Sequence, residues 1–160
     1  MVNKNPLLTS WNTPYKIAPF DEILDDHFSE AVERAMEYEL QEIQEISENS
    51  DPPTFENTIH ALLNSGNLLE RVLSVFYTLV SADSNTQREK LMTEFSPKLS
   101  SHSSKITSNE KLFNRIQELF EKIDSLNLLP EEQRLLEKIH QDYVRAGAAL
   151  NDQSKERMKD

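Results

Sequence analysis

Apolar residues recur at helical spacing along most of this chain, and the places where that spacing fails mark the joints between elements. Phe28, Val32, Ala35, Met36, Leu40, Ile43 and Ile46 follow one another at three or four residues, with Glu33, Glu37, Glu42, Glu45 and Glu48 between them. One apolar and one acidic face predict an amphipathic helix over roughly 27–48, ended by the turn cluster Asn49-Ser50-Asp51-Pro52-Pro53. A second helix opens at Thr54, whose hydroxyl suits an N-cap, with Glu56 in its first turn to complement the helix dipole. Its stripe is Phe55, Ile59, Leu62, Leu63, Leu69, Val72, Leu73, Phe76 and Val80. The stripe stays in register across Asn64-Ser65-Gly66-Asn67, a stretch that also reads as a turn. An interior glycine costs only about 1 kcal/mol against alanine, so the unbroken phase predicts one continuous helix over 54–81.

Residues 81–86 read as a connection. The third helix carries Leu91, Phe95, Leu99, His102 and Ile106 on one face, with Pro97 inside it as an expected kink. Asn109 caps a fourth, whose face is Leu112, Phe113, Ile116, Leu119, Phe120 and Ile123. Pro130, suited to a first helical position, opens a fifth with Leu135, Leu136, Ile139, Tyr143 and Val144 on its face. Asn151-Asp152 signals a further start, and the sequence stops about two turns later without a C-cap. Ahead of all these, Pro6, Pro14 and Pro19 exclude a helix, so residues 1–20 form an extended arm whose Leu7, Leu8, Trp11, Tyr15 and Phe20 are expected to lie against the domain. No strand pattern, internal repeat or low-complexity tract occurs. The expected fold is all-α: an array of about five to six antiparallel helices over 21–160, with a proline-rich N-terminal arm.

Composition narrows the function. The chain has 160 residues, long enough for a sizeable core, and 17 Lys+Arg against 28 Asp+Glu give a net charge of −11. That balance argues against a nucleic-acid partner or an anionic membrane surface, both of which need clustered positive charge. Absence of cysteine excludes disulfides, thiol catalysis and thiolate zinc sites. The most apolar stretch, Val72 to Ala82, is about half of what a bilayer span needs, and the start has no apolar signal-peptide core. Cytoplasmic placement is the expectation. Only Gly66 and Gly147 are glycines, too few for a phosphate-cradling loop or many tight turns.

No residue pattern builds an active site. The histidines are His27, His60, His102 and His140, none four residues from another, so the two-histidine helix of the zinc peptidases is absent. One Glu-x-x-His occurs, Glu137 to His140, but a dimetal bundle needs two such motifs and two more glutamates. Asp25-Asp26-His27 reads as helix capping rather than an acid–base cluster, because adjacent residues on a helix do not share a face. The glutamates from Glu33 to Glu48 read as a solvated face. Ser100, Ser101, Ser103 and Ser104 lack the Gly-x-Ser-x-Gly turn of an activated serine. His102 reads as a hydrogen-bonded core or interface histidine, and Arg145-Ala146-Gly147-Ala148-Ala149 as close helix packing.

Several segments nevertheless resemble the N-terminal region of the peptidyl-dipeptidases, or dipeptidyl carboxypeptidases, zinc peptidases of the thimet-oligopeptidase group. They are Asn5-Pro6-Leu7-Leu8, Pro19-Phe20-Asp21-Glu22-Ile23, Pro53-Thr54-Phe55-Glu56-Asn57-Thr58-Ile59 continuing to Ser65-Gly66-Asn67-Leu68-Leu69-Glu70-Arg71-Val72, and Val75-Phe76. Pro97-Lys98-Leu99, Asn109-Glu110-Lys111-Leu112-Phe113, Gln133-Arg134-Leu135-Leu136-Glu137 and Val144-Arg145-Ala146-Gly147-Ala148 complete the series, which covers nearly the whole chain. The resemblance implies a much longer, almost wholly helical parent with a deep channel between two halves. In that parent, zinc is held by a His-Glu-x-x-His helix and a downstream glutamate in the second half. None of those residues exists here, so the resemblance carries no catalytic, metal or substrate-binding residue to this chain. The expectation is an N-terminal, non-catalytic piece of the channel wall, inactive alone, whose partners are the rest of the peptidase and short peptides. Isolated, it is expected to self-associate or to show apolar surface. The alternative is a free-standing acidic helical interaction module, which the missing final C-cap disfavours.

Overall fold

The computed structural model describes residues 5–150. Every regular element among them is helical: α1 His27–Ser47, a π-helical turn Phe55–His60 running into the one-turn α2 Ala61–Asn64, α3 Asn67–Ala82, α4 Thr86–Thr107, α5 Glu110–Glu121 and α6 Pro130–Arg145. Short 3-10 turns at Pro6–Leu8, Pro14–Lys16 and Ile123–Ser125 fill the connections. The expected start at Asn151-Asp152 lies outside the described residues. No described helix is long and apolar enough to cross a membrane.

The boundaries follow from local chemistry. The Thr54 Oγ1 accepts from the Asn57 N–H (3.0 Å) while the Asn57 Oδ1 accepts from the Thr54 N–H (2.8 Å), a reciprocal cap. Asn109 caps α5 through the Leu112 N–H (2.9 Å), as expected. Pro130 occupies the first turn of α6, and Glu132 accepts from the Leu129 N–H at 2.8 Å. At the far end of α6, Gly147 adopts φ +87. There the Ala148 N–H donates to the Tyr143 carbonyl and the Gly147 N–H to the Val144 carbonyl, each at 3.0 Å. These two bonds form a Schellman cap, and the left-handed glycine it requires explains Gly147 better than close helix packing does. Helix α4 continues through Pro97, whose missing N–H leaves the Thr93 carbonyl without its usual helical donor.

One expectation fails. Residues 54–81 are not one helix: α2 ends at Asn64, Ser65 is extended (φ −75, ψ 156), and Gly66 takes the left-handed conformation (φ +73, ψ 5) as N-cap of α3. The Gly66 N–H donates to Glu42 Oε2 (2.9 Å), and the Glu39 carboxylate packs so closely that a β-carbon on residue 66 would sit 2.5 Å from its Oε1. An anionic pair at the start of α3 answers the helix dipole and the free N–H groups there. It requires a residue without a side chain.

The chain forms two compact units. Among the described residues the first comprises 5–42 and 66–100, the second 43–65 and 101–150. Helices α1 and α4 each contribute to both. In the first unit, Phe28, Val32 and Ala35 of α1 pack with Leu69, Val72 and Phe76 of α3 and Phe95 of α4. Phe76 meets the Phe28 ring at 5.1 Å and the Phe95 ring at 5.2 Å, both edge to face. Leu7 is fully buried in this core and Ala18 and Ile23 are nearly so, which fastens the proline-rich segment down. Its Trp11 lies under the Arg71 guanidinium (4.8 Å) and donates from Nε1 to the Pro6 carbonyl (2.9 Å).

The second unit is built on Ile43, Ile46, Ile59, Leu112, Ile116, Leu119, Leu136 and Tyr143. One cation is buried with them. Arg115 of α5 donates to the carbonyls of Asn49 (2.9 Å) and Asp51 (3.0 Å), to Asn57 Oδ1 (2.9 Å) and to Thr58 Oγ1 (3.3 Å). No carboxylate is among these partners. Four oxygen dipoles offset the desolvation of the guanidinium, two of them carbonyls just beyond the negative end of α1.

Candidate functional site

Helices α5 and α6 of the second unit enclose a groove of about 570 Å³ whose lining includes Phe120, Ile123, Arg134, Glu137, His140 and Val144. Helical spacing brings Glu137, His140 and Val144 of α6 to one face, and Phe120 stands on the apolar face of α5. The His140 imidazole stacks on Phe120 with centroids 3.9 Å apart and planes 1° from parallel, and Phe113 lies 5.9 Å away. Its Nε2 is 2.6 Å from Gln117 Oε1. Because an amide oxygen only accepts, this contact assigns the proton to Nε2. Burial holds the imidazole pKa below its ordinary value, with the Glu121 charge opposing.

These residues do not fit a zinc ion. The Nε2 of His140 is committed to Gln117, and Glu137 Oε2 accepts from Arg134 at 3.0 Å. Among the described residues no group of three or more His, Asp or Glu side chains is gathered as metal ligands. Zinc binding needs three or four such donors. The groove thus presents an imidazole stacked on Phe120 and bonded to Gln117, with Glu137 of the same helix face held by Arg134.

The other sequence candidates are dispersed among different partners. Asp25 pairs with Arg88 (2.7 Å) and Asp26 accepts from Gln87 (2.6 Å), both in the first turn of α4, whereas His27 Nδ1 accepts from the Leu24 N–H (3.1 Å). Glu33 shares Lys98 with Glu94, at 2.7 and 2.8 Å. His60 Nδ1 lies 2.7 Å from Glu56 Oε2, one turn away on the surface. Ser100, Ser101, Ser103 and Ser104 are exposed along α4, whereas His102 is buried, as its apolar position implied. Arg115 was missed by sequence reasoning. An arginine at the edge of an apolar face looks like any solvated basic residue, and its acceptors lie more than fifty residues away in sequence.

No family model matches the chain. The dipeptidyl carboxypeptidase of Escherichia coli (strain K12) is 38% identical over 159 residues, which is 99% of this chain and 23% of that protein. The dipeptidyl carboxypeptidase of Salmonella typhimurium is 37% identical over 158 residues, again 99% and 23%. Oligopeptidase A of Escherichia coli is 24% identical over 153 residues, 96% of this chain and 22% of that protein. The chain therefore spans under a quarter of the length of the curated relatives it matches.

Proposed function

From the homology of this chain to the dipeptidyl carboxypeptidases, we propose that it is a non-catalytic helical part of a zinc-dependent peptidyl-dipeptidase and forms part of the substrate-channel wall. The observation that carries this reading is 38% identity through 99% of the chain, set against 23% of the relative. In this reading residues 1–20 are an arm on a helical domain over 21–160, at the N-terminal side of the parent. Zinc, its ligands and the general base belong to the rest of the parent, because no His-Glu-x-x-His occurs here. This chain's contribution is shape. Rigid helices exclude folded proteins and leave room for an extended oligopeptide, from which the parent releases C-terminal dipeptides in the cytoplasm.

The test is substitution in place. A chimera is made in which this chain replaces the matching stretch of the Escherichia coli dipeptidyl carboxypeptidase. It should release C-terminal dipeptides in a chelator-sensitive reaction, while the purified 160-residue chain alone should neither do so nor retain stoichiometric zinc. Chelator-sensitive dipeptide release by the isolated chain, or a folded chimera without activity, overturns the reading.

A further inference from the structure

The segment 15–24 of the first unit combines two properties that rarely coexist. It is fastened, and four of its apolar side chains are nevertheless exposed. Ala18 and Ile23 are buried in the core, yet Tyr15 is 95% exposed, Leu24 58%, Ile17 55% and Phe20 43%. Single exposed apolar residues need no explanation, but four within ten residues of a pinned segment do. The backbone contributes to the display. Tyr15 and Lys16 both take the left-handed conformation, φ +57 and +56, which L-residues adopt at a cost of about 1 kcal/mol or more each. A turn closes around them, with the Lys16 N–H on the Thr13 carbonyl (3.0 Å), the Ile17 N–H on the Pro14 carbonyl (3.3 Å) and the Thr13 hydroxyl on the Ile17 carbonyl. Further along, Phe20 and Glu22 donate to the Ala18 and Pro19 carbonyls, each at 2.9 Å.

The charge beside this apolar run is one-sided. Asp21 and Glu22 are exposed within it and accept no ion pair from the described residues, whereas Asp25 is taken up by Arg88. Lys16 is the one base in the segment. An apolar centre with an acidic edge complements an apolar surface rimmed by lysine or arginine, and a segment already ordered loses little freedom on docking.

We propose that residues 15–24 are a docking surface for a basic-rimmed apolar face of the remainder of the peptidase. This rests on the functional reading above, in which over three-quarters of the relatives' length lies beyond the stretch this chain matches. Tyr15, Ile17, Phe20 and Leu24 supply the apolar contact, and the exposed Asp21 and Glu22 meet the basic rim.

The experiment uses the same chimera and compares hydrogen exchange of residues 15–24 in it and in the 160-residue chain alone. Exchange in this segment should slow at least tenfold in the chimera, and Asp21→Lys with Glu22→Lys should restore most of the faster rate without changing the helix content of the isolated chain. An active chimera whose segment 15–24 exchanges as fast as in the isolated chain overturns the docking surface and leaves the functional reading standing. A folded but inactive chimera overturns that reading itself. Light scattering of the isolated chain separates the remaining occupant: concentration-dependent dimers abolished by Ile17→Asp assign the surface to a second copy and overturn the proposal.

Discussion

Replacing Gly66 by alanine turns the break between α2 and α3 into a measurement of sign. In an uninterrupted helix over 54–81, Gly66→Ala would stabilise the protein by about 1 kcal/mol, the difference in helix propensity. In the structure, three effects run the other way. Alanine at φ +73 costs about 1–2 kcal/mol relative to glycine. Its β-carbon would meet Glu39 Oε1 at 2.5 Å and Cδ at 2.7 Å, so the carboxylate must swing away. That movement withdraws an anion from the first turn of α3, worth about 0.3–1 kcal/mol at a half-exposed position. The expected total is about 1.5–3 kcal/mol of destabilisation, or a fall of several degrees in Tm for a chain of this length. Urea unfolding followed by circular dichroism measures it. Gly66→Asn separates the contributions, since asparagine tolerates the left-handed conformation but still brings a β-carbon against Glu39. A higher unfolding midpoint for Gly66→Ala would refute the argument and restore the continuous helix.

Arg115→Met should destabilise by about 3 kcal/mol or more in the same assay, because it strips donors from the Asn49 and Asp51 carbonyls and from Asn57 and Thr58. Arg115→Lys should recover only part of this, since one ammonium cannot span all four acceptors. For His140, burial lowers the folded-state pKa below that of the unfolded chain, so the unfolded state binds the proton more readily. The resulting stability is complete above the unfolded value near 6.5 and is lost as pH falls from there through the folded value. Comparing midpoints at pH 7.5 and 5.5 should show a drop for the native sequence that is smaller in His140→Gln; equal drops would contradict the assignment.

The helices were largely legible because their chemistry is local. Periodicity placed α1 within a residue of its observed ends, and Thr54, Asn109 and Pro130 each announced a start that the structure uses. The break at Ser65–Gly66 was hidden by a coincidence of phase. Ile59 belongs to the core of the second unit, and Leu69 and Val72 to that of the first. Periodicity reports that a position faces some core and is silent on which one. The turn signal in Asn64-Ser65-Gly66-Asn67 was present, and a carboxylate pair 24 and 27 residues upstream in sequence gave it the advantage. The groove beside His140 was half legible. Glu137 and His140 were visible as a pair, but Gln117 and Phe120, which commit the imidazole elsewhere, come from another helix. Family resemblance, not residue chemistry, carried the functional reading, and the stretch Pro53 to Ile59 that contributes to it holds two of the four acceptors of Arg115, Asn57 and Thr58.

That arrangement has a consequence for synthesis on the ribosome. The acceptors of Arg115 lie 57 to 66 residues upstream of it. At roughly 5–20 residues per second, Arg115 is made roughly 3–13 s after the segment it organises. Until then the carbonyls of Asn49 and Asp51 lack their guanidinium donor, and the π-helical turn is held only by its own Thr54–Asn57 cap. The stretch 49–58 is thus a protease-sensitive window in the nascent chain. It closes when α5 has left the exit tunnel, and limited proteolysis of chains stalled before and after that point would time the closing.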